Sequence, residues 1–263
     1  MRDKGQVATP VVAGLAVISV LFFLLPLTGL IIRAPWGDMV SVITSTSALD
    51  ALWLSLVASL ATTALALIFG FPLAWALARG RFPGRALLRG LTTLPMVLPP
   101  VVGGIALLLA YGRKGLIGEP IANATGYSLP FTTPGVIVAE AFVAMPFFVI
   151  TVESGLRSMN VKLEDAARSL GAGRITVFRR VTLPLIAPSL IAGAVLAWSR
   201  AVGEFGATIT FAGNLPGVTQ TSPLAIYIAQ TSNQLDQAIA LSLVLVVVSL
   251  SVMIGTRNRS RTG

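Results

Sequence analysis

The sequence predicts an all-α integral membrane protein with six transmembrane helices. Hydrophobic residues make up 55% of the chain and charged residues only 11%, whereas soluble domains carry roughly 25% charged residues. The mean hydropathy is +0.85. Six apolar stretches reach the length of about 20 residues that a spanning helix needs. Composition and stretch length therefore place the chain in a lipid bilayer.

The predicted spans cover residues 11–32, 51–78, 88–111, 134–154, 183–205 and 236–255. The first span follows Arg2 and Lys4, as the apolar part of a signal peptide would. Its apolar run is too long for a signal peptide and no clear A-x-A cleavage site follows it, which favours an uncleaved first span. No internal repeat and no soluble domain is evident.

The basic residues predict the orientation of the spans, because cytoplasmic loops carry an excess of Lys and Arg. The termini and the loops after spans two and four contain Arg2, Lys4, Arg79, Arg81, Arg85, Arg89, Arg157, Lys162, Arg168, Arg174, Arg179, Arg180, Arg257, Arg259 and Arg261. The alternate loops contain only Arg33, Arg113 and Lys114. Both termini are therefore expected in the cytoplasm. The formal charge of +9 follows this pattern, so no nucleic-acid partner is expected.

The chain contains neither cysteine nor histidine. Disulfides, Cys/His metal sites and histidine-based acid–base or nucleophilic chemistry are therefore excluded. We accordingly expect no catalytic residue, no metal site and no cofactor bound by this chain.

The cytoplasmic loop after span four has the pattern of an amphipathic helix. Its apolar residues fall at i, i+3, i+4 and i+7, at Leu163, Ala166, Ala167 and Leu170. Glu164 and Asp165 lie on the remaining surface in the first turn, where negative charge suits the helix dipole. Gly171 follows as a helix stop, and Leu183-Pro184 then opens span five. The alternative is an interfacial helix that rests on lipid headgroups.

Residues 164–184 read EDAARSLGAGRITVFRRVTLP. Asp165-Ala166-Ala167 is followed by Gly171 and later by Leu183-Pro184, a pattern that resembles the EAA loop of permease subunits in binding-protein-dependent ABC importers. Asp165 stands where that family usually has Glu, although Glu164 precedes it. In that family the loop docks a separate ATPase. The resemblance therefore implies an ATPase-coupling role for Glu164, Asp165, Ala166, Ala167, Gly171, Leu183 and Pro184.

The same resemblance implies the assembly. It implies the MetI-like fold of type I ABC importers, a homodimer of this subunit and two cytoplasmic ATPase subunits. The chain has no phosphate-cradling GxxxxGK(S/T) motif, so ATP and Mg²⁺ are expected on the ATPase subunits and the chain is not expected to be an enzyme. The expected domains are an N-terminal segment with the first span (1–50), a permease domain (51–255) with its coupling loop (157–182), and a basic tail (256–263).

The third predicted span contains PMVLPPVVGG at residues 95–104, whose prolines and glycines should interrupt a helix. Broken helices persist in membranes where they line a cavity. Pro99, Pro100, Gly103 and Gly104 are therefore translocation-path candidates. The alternative is a kink that serves only the packing between spans.

Charged residues inside spans are functional candidates by default because they are costly there. Glu140 lies near the outer end of span four and Glu153 near its cytoplasmic end, where water could reach both. Arg200 and Glu204 are four residues apart on the predicted fifth helix. They could neutralise each other or take part in transport.

Residues 197–214 read AWSRAVGEFGATITFAGN and residues 219–227 read TQTSPLAIY. These stretches resemble molybdate permeases, as does PMVLPPVVGG, and the likeness extends over most of 51–255. It implies import of molybdate, with tungstate as a companion, and a molybdate-binding protein outside the cytoplasm, docked near 35–50, 113–133 and 213–236. A tetrahedral dianion needs N–H and O–H donors, so Ser199, Arg200 and Thr208 are further translocation-path candidates. Glu204 is a candidate because it is a charged residue inside a span.

Three other functions stay open. Sulfate permeases share a looser version of these stretches, often with Tyr-Gly-Ser in place of Phe205-Gly206-Ala207, and neither charge nor spacing separates the two anions. A secondary anion transporter could use buried charges as a relay, but it would usually show two repeated halves and would not need the docking loop. A membrane scaffold would need neither broken spans nor buried charge. The resemblance favours a multi-pass permease in the cytoplasmic membrane of a prokaryote.

Overall fold

The computed structural model describes residues 10–259, with side chains described up to Gly255. The predictions that concern Arg2, Lys4 and Arg261 lie outside the described residues, as do the side chains of Arg257 and Arg259.

Within the described residues the fold consists of fourteen α-helices and two π-helical segments, without a β-strand. The helices are α1 (Pro10–Ile32), α2 (Met39–Ile43), α3 (Thr46–Leu65), α4 (Phe71–Arg79), α5 (Arg85–Val97), α6 (Pro100–Tyr111), α7 (Gly118–Thr125), α8 (Thr133–Ser158), α9 (Lys162–Ser169), α10 (Arg174–Val177), α11 (Leu183–Val202), α12 (Gly206–Phe211), α13 (Ser222–Thr231) and α14 (Leu235–Arg259). The π segments are Ala66–Gly70 and Phe178–Thr182.

Five helical stretches of the described chain are long and apolar enough to cross a membrane. They are Pro10–Ile32, Thr46–Arg79, Thr133–Ser158, Arg174–Val202 and Leu235–Gly255. These stretches correspond to predicted spans one, two, four, five and six, so the all-α membrane fold is confirmed. Short helices and turns join them.

The third predicted span is two shorter helices, α5 and α6, rather than one. Leu98 and Pro99 separate them with extended backbones, at ψ 136° and 133°. Each of these residues precedes a proline, and the proline ring pushes the residue before it out of the α region. The predicted interruption of this span is confirmed, and its physical cause is Pro99 followed by Pro100.

Each π segment ends two residues before a proline of the same helical stretch, at Pro72 and Pro184. Proline donates no backbone hydrogen bond and its ring clashes with the carbonyl four residues earlier. A widened π turn is one way for a helix to continue through such a position.

Span five was predicted over 183–205, and helix α11 begins at Leu183 as predicted but ends earlier, at Val202. The helical stretch is continuous over Arg174–Val202, so Leu183 and Pro184 lie within it rather than at its start. The π segment carries the helix through Pro184 from the cytoplasmic loop. At the other end the chain turns at Gly203 and a separate helix, α12, begins at Gly206.

Helix α8 lies at the centre of the fold, packed between the long stretches that contain α3 and α11. Its buried side chains include Ala144, Phe148, Val149, Val152 and Leu156. Lipid tails are as apolar as these side chains, so spans associate mainly through close packing at small residues. A Cβ atom on Gly193 would lie 3.1 Å from the Phe148 ring, and one on Gly70 would lie 2.9 Å from it.

Gly155 of α8 provides a test of this packing. A Cβ atom there would lie 2.2 Å from Ser189 Oγ and 2.5 Å from Ser189 Cβ on α11. We expect Gly155→Ala to destabilise the protein by about 1–3 kcal/mol, the usual cost of overpacking. The measurement is the apparent melting temperature of the purified protein in detergent.

Gly90→Ala is the matched control, because Gly90 lies within α5 and a Cβ atom there meets nothing within 4 Å. Alanine favours a helix by about 1 kcal/mol over glycine, so this variant should melt at the same temperature or higher. Equal melting temperatures for the two variants would contradict the packing described for α8 and α11.

Candidate functional site

The predicted coupling loop forms two helices, α9 and α10, at the cytoplasmic end of the predicted topology. The exposed fractions of Leu163, Leu170 and Ile175 are 47%, 89% and 74%. Ala166 is exposed as well and Ala167 is half-buried. No part of the described chain covers this apolar face. The amphipathic helix is thus confirmed, and its apolar side points away from the subunit's own core.

Glu164 departs from the expectation that it lies on the open surface with Asp165. Its side chain is only 4% exposed. Glu164 Oε1 accepts a hydrogen bond from Thr182 Oγ1 at 2.7 Å. The Arg79 guanidinium donates to both carboxylate oxygens, each at 3.3 Å. The carboxylate therefore binds residues of this chain at the ends of spans two and five.

Asp165 behaves as predicted and stays at the surface. Its side chain is 64% exposed and pairs with Arg168 at 3.1 Å, three residues further on. An exposed pair of this kind contributes little to stability. The Asp165 carboxylate is consequently available to a partner protein, unlike its neighbour Glu164.

Gly171 ends α9 in the manner predicted. Its φ is +86°, in the left-handed region that favours glycine. Gly171 N donates to Arg168 O at 2.9 Å and Ala172 N donates to Ala167 O at 3.1 Å, which is the Schellman pattern. A Cβ atom on Gly171 would meet nothing within 4 Å, so the backbone conformation and not space requires glycine.

Aromatic side chains join the inner end of span two to the second π segment. The Trp75 and Phe178 rings are 5.7 Å apart, and the Phe71 and Phe178 rings are 6.0 Å apart. Arg79 lies over the Trp75 ring at 5.8 Å. Leu183 and Pro184 follow this cluster and are exposed, so they make no buried contact that would identify a coupling role.

The position of Glu153 near the end of span four suggested that water reaches its side chain, but the structure buries it. It is 6% exposed and pairs with Arg157 at 2.9 Å and with Arg89. Both arginines also donate to the Leu77 carbonyl, close to the C-terminus of α4. Cations suit a helix C-terminus, so this cluster closes the inner end of span two.

The candidates in the broken span divide into two groups. Gly103 and Gly104 are buried, whereas Pro99 and Pro100 are exposed. A Cβ atom on Gly104 would lie 2.5 Å from Thr210 Cβ and 3.0 Å from Ala207 O. The glycines therefore permit close packing of α6 against other helices, in line with the alternative of a packing kink. A path-lining role for all four residues stays a prediction.

Arg200 and Glu204 meet, although they do not share one helix. Glu204 follows the end of α11 and is 1% exposed, and its Oε2 lies 2.5 Å from Arg200 Nη2. Glu204 Oε1 accepts a hydrogen bond from Ala207 N at 2.8 Å in the first turn of α12. The pair thus stabilises the turn from α11 to α12, as the neutralisation alternative suggested.

The other two candidates near this turn differ in exposure. Ser199 is exposed and Thr208 is buried. Thr208 Oγ1 is buried with no hydrogen-bond partner in the described part of the chain. A transport role for these residues stays a prediction.

Glu140 is buried rather than solvated, at 1% exposure, and it accepts a hydrogen bond from Thr62 Oγ1 at 3.1 Å. Sequence reasoning did not single out Thr62, Thr182 or Arg79. A signal existed for Thr62, because Ser55, Ser59 and Thr62 recur on one face of α3 and all three are buried. Nothing in the sequence distinguishes Arg79 from the other cytoplasmic arginines.

Comparison with known proteins identifies the class to which this fold and this loop belong. Residues 70–259 match the family described as binding-protein-dependent transport system inner membrane component. The chain belongs to this family. A solved bacterial alginate ABC transporter, in complex with a periplasmic protein that carries an alginate pentasaccharide, superimposes with a TM-score of 0.74 at 20% identity, covering 96% of this chain and 94% of that one.

Sequence relatives narrow the class. The molybdenum transport system permease protein ModB of Mycobacterium tuberculosis is 46% identical, over 94% of this chain and 93% of that protein. ModB of Escherichia coli is 42% identical, over 81% of this chain and 98% of that protein. The sulfate transport system permease protein CysT of Salmonella typhimurium is 36% identical, over 89% of this chain and 85% of that protein.

The positive φ of Gly171 makes a testable prediction about the loop. A residue with a Cβ pays roughly 1–2 kcal/mol in this conformation, and β-branched valine adopts it least readily. We expect Gly171→Val to lower uptake of the transported anion about 5- to 30-fold, with normal insertion into the membrane. Uptake into vesicles and the amount of inserted subunit are the measurements.

Two variants serve as controls for this prediction. Gly171→Asn should retain most uptake, since asparagine tolerates the left-handed region. Gly173→Val should also retain it, because Gly173 has φ −67° and ψ 162° and open space around its Cβ position. Equal losses at positions 171 and 173 would show that side-chain bulk and not backbone conformation matters.

Proposed function

We propose that this chain is the permease subunit of an ATP-driven importer that carries molybdate, and tungstate as its companion, across the cytoplasmic membrane. The two relatives named as molybdenum permeases are 46% and 42% identical to this chain over the aligned residues, and the relative named as a sulfate permease is 36% identical. The stretches AWSRAVGEFGATITFAGN and TQTSPLAIY support the same choice. Sulfate is the alternative substrate.

The observation that carries the coupling mechanism is the exposed apolar face of α9 and α10. Leu163, Leu170 and Ile175 would be costly to leave in water, and exposed apolar patches mark docking sites for other proteins. Beside them lies an open groove of about 710 Å³ whose lining includes Glu164, Arg168 and Thr182. We propose that an ATPase subunit docks on the exposed apolar face. ATP and Mg²⁺ are bound on that subunit, and this chain performs no catalysis.

The assembly we propose is a homodimer of this subunit with two ATPase subunits. One chain supplies only half of the twelve spans that the family resemblance implies. Closure of the ATPase subunits would push on both docking helices and switch the path between outward and inward access. An extracytoplasmic molybdate-binding protein would dock on the outer loops near 35–50, 113–133 and 213–236. This arrangement requires both termini in the cytoplasm.

The translocation path is proposed to pass the turn between α11 and α12 and the break between α5 and α6. Arg200 is partly exposed, at 28% of its side chain, and offers guanidinium N–H donors beside Ser199, while Glu204 neutralises its charge. Thr208 offers a hydroxyl without a partner among the described residues. Cationic and hydroxyl donors suit an oxyanion that must bind weakly and leave again.

The docking proposal predicts that charge on the apolar face prevents assembly. Burial of a leucine is worth about 1.5–3 kcal/mol, so we expect Leu170→Asp to weaken ATPase association about 10- to 100-fold. The measurement is copurification and titration of the ATPase subunit with the permease in detergent or nanodiscs.

Leu116→Asp is the matched control for this experiment. Leu116 is 86% exposed, close to the 89% of Leu170, but it lies in the loop between α6 and α7 on the predicted outer side. This variant should bind the ATPase normally. If Leu170→Asp also binds the ATPase normally, the docking proposal is wrong.

The substrate is tested by uptake of labelled molybdate into vesicles that contain this chain with its ATPase and binding protein. We expect uptake that depends on ATP and survives a large excess of sulfate, while tungstate competes. Removal of uptake by sulfate would assign the subunit to sulfate import. Uptake that depends on an ion gradient and not on ATP would favour a secondary transporter.

A further inference from the structure

Glu164 lies where three parts of the chain meet: the docking helix α9, the end of span two and the second π segment. We propose that Glu164 is a positioning residue that ties the docking helix to spans two and five, and that it does not contact the ATPase subunit. This inference rests on the proposed docking function of α9 and assigns Glu164 a different task from its neighbours.

The Glu164 carboxylate is held by donors of its own chain. It is 4% exposed, accepts from two Arg79 nitrogens and from the Thr182 hydroxyl, and lies 3.7 Å from the Arg168 guanidinium. A buried carboxylate needs such partners, because removing one partner of a buried pair is strongly destabilising. Glu164 lines the open groove beside α9, but its carboxylate oxygens already accept from donors of this chain.

The side chains on either side of Glu164 are exposed, whereas Glu164 itself is buried. Asp165 is 64% exposed and Leu163 is 47% exposed, so both neighbours of Glu164 present themselves to a partner. Helical geometry points successive side chains about 100° apart. The same turn therefore offers a docking face on one side and an internal anchor on the other.

The partners of Glu164 lie at the end of α4 and in the second π segment. Arg79 is the last residue of α4 and lies over the Trp75 ring, which packs against Phe178. Thr182 is the last residue of the second π segment. π turns are frequent at functional sites, and Thr182 ties this one to Glu164. Movement of α9 would thus act on two spans through one carboxylate.

The test distinguishes loss of ATPase binding from loss of coupling between ATP hydrolysis and import. We expect Glu164→Gln to bind the ATPase with unchanged affinity, while the amount of molybdate imported per ATP hydrolysed falls about tenfold, a typical loss of coupling between sites. The readouts are ATPase titration, ATP hydrolysis and uptake in the complete complex with its binding protein. A residue that merely stabilised the fold would lower all three through the amount of inserted subunit.

Three variants complete the design. Thr182→Val removes one hydrogen bond and leaves the ion pair, so it should show the same uncoupling to a smaller degree. The exchange Arg79→Glu with Glu164→Arg should recover import per ATP relative to Arg79→Glu alone.

The inference is overturned if Glu164→Gln loses the ATPase to the extent that Leu170→Asp does, since Glu164 would then be a docking residue. It is also overturned if Glu164→Gln and Thr182→Val both import the normal amount per ATP. Failure of the docking proposal itself has a different signature, namely normal ATPase binding by Leu170→Asp.

Discussion

In a bilayer, every buried backbone group and every buried charge must find its partner within the protein, because the hydrocarbon supplies none. The architecture follows from this constraint. Where Pro99 and Pro100 remove donors, the span breaks into two helices. Where Pro72 and Pro184 remove them, the helix passes through a π turn instead. At these two positions the π turn carries the long stretch through proline at its cytoplasmic end.

The buried carboxylates obey the same constraint with partners from distant segments. Glu153 of span four pairs with Arg89 of α5, Glu164 of the docking helix pairs with Arg79 of span two, and Glu140 accepts from Thr62. Each contact crosses between helices, so it fixes their relative position as well as compensating the cost of burial. Two of these ties lie at the inner end of span two, beside the proposed site of ATPase docking.

The docking helix thereby combines two surfaces with different tasks. Its apolar face and Asp165 are exposed, as a docking site for a partner requires. On the other side of the helix, Glu164 is buried against Arg79 and Thr182. In the proposed mechanism, the exposed face that the ATPase subunit would push and the residue that is held internally belong to the same turn. The ion pair of Arg200 and Glu204 performs a comparable structural task near the proposed path.

The sequence alone determined the membrane class, the break in the third span, the amphipathic docking helix and its stop at Gly171, since hydrophobic periodicity, proline and glycine act through local backbone geometry. The likeness in residues 197–227 also led to the family that the relatives confirm. Only the tertiary structure decided that Glu140, Glu153 and Glu164 are buried, that the glycines of α6 serve packing, and that the helix of span five is continuous with the helical stretch from Arg174. Those outcomes depend on which side chains distant segments bring together, and no spacing along the chain encodes the position of Arg79 relative to Glu164.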